Sequence, residues 1–116
     1  MKDEEGNWLA TDLVTVYNEQ GWVEELPTLI IARELHACGH FINTDNKVVL
    51  LVTGGQGNEE QVGFFIRTAT TEILIEGSTS WVEAGALPFA ASGLQAVTIN
   101  NDVIVTGRLI AICWPT

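Results

Sequence analysis

Gly21-Trp22-Val23-Glu24-Glu25-Leu26-Pro27 comes back further along the chain as Ser80-Trp81-Val82-Glu83-Ala84-Gly85-Ala86-Leu87-Pro88. The two tryptophans stand 59 residues apart, each behind a β-rich segment and ahead of a Leu-Pro. Val52-Thr53-Gly54 likewise returns 53 residues on, as Val105-Thr106-Gly107. A hairpin-like stretch with an Asn/Asp turn precedes both copies of this second motif. A chain that repeats itself at about 50–60 residues stacks similar units, each burying a face it cannot bury alone.

Outward from these anchors the pattern is β throughout. Leu13–Tyr17 is apolar or β-branched and runs into the turn Asn18-Glu19-Gln20-Gly21. His36–Ile42 reads as a strand closed by Asn43-Thr44-Asp45-Asn46. Lys47–Thr53 holds Val-Val-Leu-Leu-Val, an unbroken apolar run suited to burial on both faces, and Gly54-Gly55 ends it. Thr71–Glu76 ends at Gly77, and Leu94–Ile99 with Asp102–Thr106 forms a hairpin around Asn100-Asn101. Thr28–Leu35 lacks both a cap and a clean helical period. The expected class is all-β.

The 116 residues carry 15 acidic and 5 basic side chains, for a formal net charge of −10. That is one domain's length, with 47% hydrophobic residues, enough for an ordinary core. So acidic a chain repels phosphate backbones and anionic lipid, so neither nucleic acid nor membrane is expected as a partner. The acidic N-terminus offers no signal sequence, and two cysteines make no disulfide framework. Together these point to a cytoplasmic location.

The ordered set resembles the kelch repeat, one antiparallel four-stranded blade of a β-propeller. The matching features are the early strand His36–Ile42, Val48–Val52 running into Gly54-Gly55, the later strand Thr71–Ile75, then Trp81 and the Leu87-Pro88 that opens the next repeat. The resemblance makes Trp22, Pro27, Gly54, Gly55, Trp81, Pro88 and Gly107 the structural positions, with tryptophan a wedge between neighbouring blades. It divides the chain into residues 1–26, the end of one blade behind an acidic lead-in; 27–87, one complete repeat; and 88–116, the first hairpin of the next with a non-matching tail. Propellers close with four to eight blades. About two blades' worth of strands is therefore expected to form an open fragment with exposed apolar end faces that self-associate. Where a second double glycine would stand the chain reads Gly107-Arg108, and the repeat is expected to break there.

Candidate chemistry is sparse. His36, Cys38 and His40 alternate along one strand face and are weak metal ligands. Same-face neighbours stand about 6.6 Å apart and converge poorly on one ion. Gly54-Gly55-Gln56-Gly57 lacks the Gly-Lys-Ser/Thr of a phosphate loop. Ser78, Ser80 and Ser92 have no context for a catalytic triad. The copper oxidases among kelch-type propellers use tyrosine, and this chain has only Tyr17. No enzymatic activity, cofactor or metal is expected.

The connection from Gln56 to Thr70 is long for a strand-to-strand link, and it holds Glu59, Glu60, Phe64, Phe65 and Arg67. With Arg33, which resembles an arginine often found before the first kelch strand, these are the expected partner-contacting residues, unless Phe64-Phe65-Ile66 belongs to a packed strand. The resemblance implies a protein–protein interaction module, such as the substrate-binding part of a ubiquitin-ligase adaptor or a cytoskeletal binder. A secreted kelch protein and a fragment without independent function are the alternatives.

Overall fold

The computed structural model describes residues 10–58 and 65–110 and holds ten strands and no helix among them. At its centre lies a four-stranded antiparallel sheet of β3 (Ala37–Ile42), β4 (Val48–Thr53), β7 (Thr71–Ile75) and β8 (Val82–Glu83), paired in that order. All four strands fall between Pro27 and Leu87. A two-stranded ribbon, β5 (Gln56–Asn58) with β6 (Phe65–Arg67), interrupts the link from β4 to β7. The segment expected to be an open loop thus carries strands at both ends, with Gln56 opposite Arg67. Before the central sheet comes the hairpin β1 (Val14–Asn18) and β2 (Gly21–Leu26); after it comes the hairpin β9 (Ala91–Ile99) and β10 (Asp102–Ile110).

The turns follow from their asparagines and glycines. Asn18 Oδ1 accepts from the Gln20 amide at 2.8 Å and Gly21 takes φ +92°, which closes β1 onto β2. Asn43 Oδ1 accepts from the amides of Asp45 and Lys47, at 2.9 and 3.0 Å, and so shapes the β3–β4 turn. Asn100 and Asn101 both hold positive φ, the requirement of a two-residue hairpin loop whose twist matches its strands. β10 runs on to Ile110, with Leu109 opposite Ser92.

Strand alternation sorts the central sheet into two faces. Val52 stands opposite Glu72 and Leu50 opposite Leu74, so these four share one face with Cys38 and His40. Val49, Leu51 and Thr53 share the other with Gly39, Ile73 and Ile75.

On the first face, Val52, Leu74, Leu29 and Trp81 form the buried core, and Val14 and Leu26 of the β1–β2 hairpin pack against it. Trp81 is 5% exposed, and its indole N–H donates to the Pro27 carbonyl at 2.7 Å. This ties the last strand of the sheet to the segment that leaves β2. Trp22 differs from the wedge expected of it. It is 71% exposed and meets the Tyr17 ring edge-on, with centroids 5.1 Å apart. Trp81 has a hairpin covering its side of the sheet, whereas no described residue covers Trp22.

On the second face lies the β9–β10 hairpin. A Cβ on Gly39 would come within 2.7 Å of Val103 and 3.7 Å of Ala96, so the small residue lets the two layers approach. Asn101 clips the free edge of β3, accepting from the Ile42 amide at 2.7 Å and donating to its carbonyl at 2.8 Å. Thr98 Oγ1 donates to the His40 carbonyl at 2.6 Å.

Candidate interaction surfaces

Among the described residues, the two largest fully buried side chains are a charged pair. Arg33 and Glu72 are each 1% exposed, and Arg33 Nη2 lies 2.7 Å from Glu72 Oε2. Arg33 also donates to the carbonyls of Gly54 and Thr70, both at 2.9 Å, and to Thr70 Oγ1 at 3.0 Å. Glu72 accepts from the amides of Ile30 and Ile31, at 2.6 and 3.0 Å. A buried charge is tolerated only when paired and hydrogen-bonded, and this one holds the 28–35 segment to two strands of the sheet. Arg33, expected to contact a partner, is instead spent inside the fold.

The same cluster joins the sheet to the next hairpin through the glycine pair. Gly54 and Gly55 adopt φ of +68° and +93°. Gly54 N–H donates to Thr70 O and Gly55 N–H to Ala91 O, the latter at 2.7 Å in β9. A Cβ on Gly55 would sit 2.5 Å from the Glu34 carbonyl oxygen, and one on Gly54 would overlap Leu94. Only glycine fits here. Gly107 meets the same Leu94, which a Cβ there would also overlap.

His36, Cys38 and His40 do not converge. His36 is half-buried, whereas Cys38 and His40 are exposed on the first face of β3. No metal-binding group of three is found among the described residues. Burial pushes the His36 imidazole below its ordinary value, the Arg33 guanidinium lowers it further, and Glu72 acts the other way. Cys38 keeps an exposed surface, and its partial shielding by the sheet pushes the thiol up.

Of the other expected contact residues, Glu59, Glu60 and Phe64 lie outside the described residues. Phe65 begins β6 opposite Asn58. Arg67 Nε donates to Ser92 Oγ at 3.1 Å, linking the ribbon to β9. Nearby Ile66 is exposed, as is Phe89 ahead of β9.

Sequence reading missed the coverage of the central sheet, which is half on each side. On the first face the β1–β2 hairpin covers Val52, Leu74 and Trp81 but leaves Cys38 and His40 in solvent. On the second face β9–β10 covers Gly39 of β3 but leaves Val82 of β8 exposed. The outer side of β9–β10 carries Val97 and Ile104 as a directly opposed pair with Ile99, all exposed.

No model of a known protein family matches the chain, and no curated protein is similar to it in sequence. Among the described residues no helix is long and apolar enough to cross a membrane.

Proposed function

We propose that the chain is part of a kelch-like β-propeller whose work is protein–protein recognition. One observation carries the reading. An antiparallel meander, β3-β4-β7-β8, has a hairpin stacked on each face, with Gly54-Gly55 at one junction and the Trp81 indole at the other. Stacked four-stranded sheets of this kind are how propellers bury blade faces. A propeller by itself fixes no reaction, and the reading assigns the chain no catalytic step, cofactor or metal. The kelch likeness favours a substrate-recognition role in a ligase adaptor or attachment to the cytoskeleton.

The recognition surface is the β5–β6 ribbon and the approach to β9, where Ile66 and Phe89 are exposed and Arg67 bonds to Ser92. Apolar and aromatic groups around an arginine are the residue types that dominate protein interfaces. A photo-crosslinking amino acid at Ile66 tests it. The expected result is one protein captured reproducibly there, and lost when Glu59, Glu60, Phe64 and Phe65 are changed together to alanine. Capture no stronger than at a control position such as Glu25 overturns it.

A further inference from the structure

On the first face of the central sheet a hollow of about 320 Å³ opens beside β1, next to β3 and β4. Its walls are mainly apolar, formed by Leu13, Leu29, Leu50, Val52 and the Trp81 indole. Arg33, His36 and Cys38 also line it. A cavity of about 150 Å³ holds benzene, and small-molecule sites run upward from about 300 Å³.

Two polar atoms of the lining residues have no partner. Both Nη atoms of Arg33 are spent on Gly54, Thr70 and Glu72, whereas its Nε–H meets no acceptor. His36 Nδ1 is likewise buried and unpartnered. Among the described residues these are the buried side-chain nitrogens and oxygens left without a hydrogen bond, and both belong to the walls of one hollow. A buried donor or acceptor left unmet is costly to the fold. Nε–H can only donate. Burial and the nearby Arg33 keep the His36 ring neutral. With its proton on Nε2, Nδ1 is an acceptor.

We propose that the hollow binds a small uncharged molecule with an apolar body of one or two rings and one hydroxyl group. The hydroxyl oxygen accepts from Arg33 Nε–H, and the hydroxyl proton is donated to His36 Nδ1. Both nitrogens are closed to solvent in the chain alone, so the half-buried His36 ring turns to admit the group. A single water could meet the same two atoms, but it would leave Leu50, Val52 and Trp81 uncovered. An apolar body covers them and gains by burial. The absence of charge follows from the surroundings. The Arg33 charge is already matched by Glu72 at 2.7 Å, and a net charge of −10 repels anions arriving from solvent. The site is separate from the β5–β6 surface and stands without the propeller reading.

Titration of the isotopically labelled chain with 1-naphthol at about pH 7.5, where His36 is neutral, tests this against naphthalene and 1-naphthoate. Naphthol is expected to occupy one saturable site, shifting the Leu50 and Val52 methyls and the Trp81 indole and giving nuclear Overhauser contacts to them. Naphthalene keeps the rings and lacks the hydroxyl, and is expected to bind at least about tenfold more weakly. Naphthoate puts a charge where the hydroxyl stood, and the same loss is expected. His36→Phe removes Nδ1 and is expected to bring naphthol down to the affinity of naphthalene.

Equal affinities for naphthol and naphthalene overturn the proposal, because the two nitrogens then take no part. So does naphthoate binding as tightly as naphthol, and so do shifts that never saturate or that fall on Ile66 and Phe89 instead. Should His36→Phe unfold, Leu13→Glu decides. Leu13 lines the hollow and is exposed, so the new charge is expected to spare the fold and weaken naphthol at least about tenfold. Unchanged affinity in that variant contradicts the site. Each of these failures leaves the β5–β6 surface standing, since crosslinking at Ile66 reads that surface alone.

Discussion

Arg33 and Glu72 are 39 residues apart in sequence, and their side chains meet at 2.7 Å with almost no exposure to solvent. Between them they satisfy two carbonyls, a threonine hydroxyl and two amides, drawn from the 30–33 segment, the glycine pair and the start of β7. The pair fixes where the irregular segment after β2 lies against the central sheet.

Breaking that pair from one side leaves a buried charge alone. Glu72→Gln is expected to cost about 3–5 kcal/mol in urea denaturation. Replacing both partners, Arg33→Met with Glu72→Leu, is expected to cost less than Glu72→Gln does. A double variant as unstable as the sum of the singles would show that the two charges act independently.

The two tryptophans share a motif and differ in burial, so truncation separates them. Trp81→Ala is expected to lose about 3–5 kcal/mol, as for a large side chain removed from a core. Trp22→Ala is expected to change the stability of the single chain by less than about 1 kcal/mol, measured where the chain is monomeric. Equal losses would contradict the placement of Trp22.

Glycines 55 and 85 make a second contrast. Gly55→Ala places a Cβ against the Glu34 carbonyl at a φ of +93°, and the expected cost is more than about 1 kcal/mol. Gly85 has nothing within 4 Å of its would-be Cβ. Gly85→Ala is therefore expected to be neutral or slightly stabilising, by up to about 1 kcal/mol through the unfolded chain. Thermal denaturation of the two variants reads the difference directly.

His36 gives the fold a pH dependence. Its folded value lies below the 6.5 of an unburied histidine. The unfolded chain therefore takes up the proton first as pH falls, and stability drops from pH 6.5 downward until the folded value is passed. The expected midpoint of denaturation declines as pH falls below about 6.5, and His36→Gln flattens that decline. An unchanged slope in the variant would place the titration elsewhere.

The strands were legible because alternation and turn residues are local. Gly54-Gly55, Asn100-Asn101 and the apolar run of β4 announce their own geometry. Glu72 was not legible. In Thr71-Glu72-Ile73-Leu74-Ile75 a lone carboxylate reads as a solvated position, and only its share of a face with Leu74 hinted at burial. Its partner lies 39 residues away in a segment with no periodicity. Arg33 stands out for its place before the first strand, but sequence does not distinguish an arginine that points at a partner from one that points into its own fold. The exposure of Trp22 was hidden for the opposite reason. Its motif equals that of Trp81, and what differs is the neighbour that covers it. The link from Gln56 to Thr70 looked open because three-residue strands such as β5 and β6 carry too few alternations to register.

The central claim is that one four-stranded sheet carries a hairpin on each face. Nuclear Overhauser contacts in the isotopically labelled chain, below any assembly concentration, test it most directly. A contact is expected between the Gly39 Hα protons and a Val103 methyl on one face, and between a Val14 or Leu26 methyl and the cluster of Leu29, Val52, Leu74 and Trp81 on the other. Both should appear in the same sample. Strand contacts within β3-β4-β7-β8 with either of these missing would contradict it.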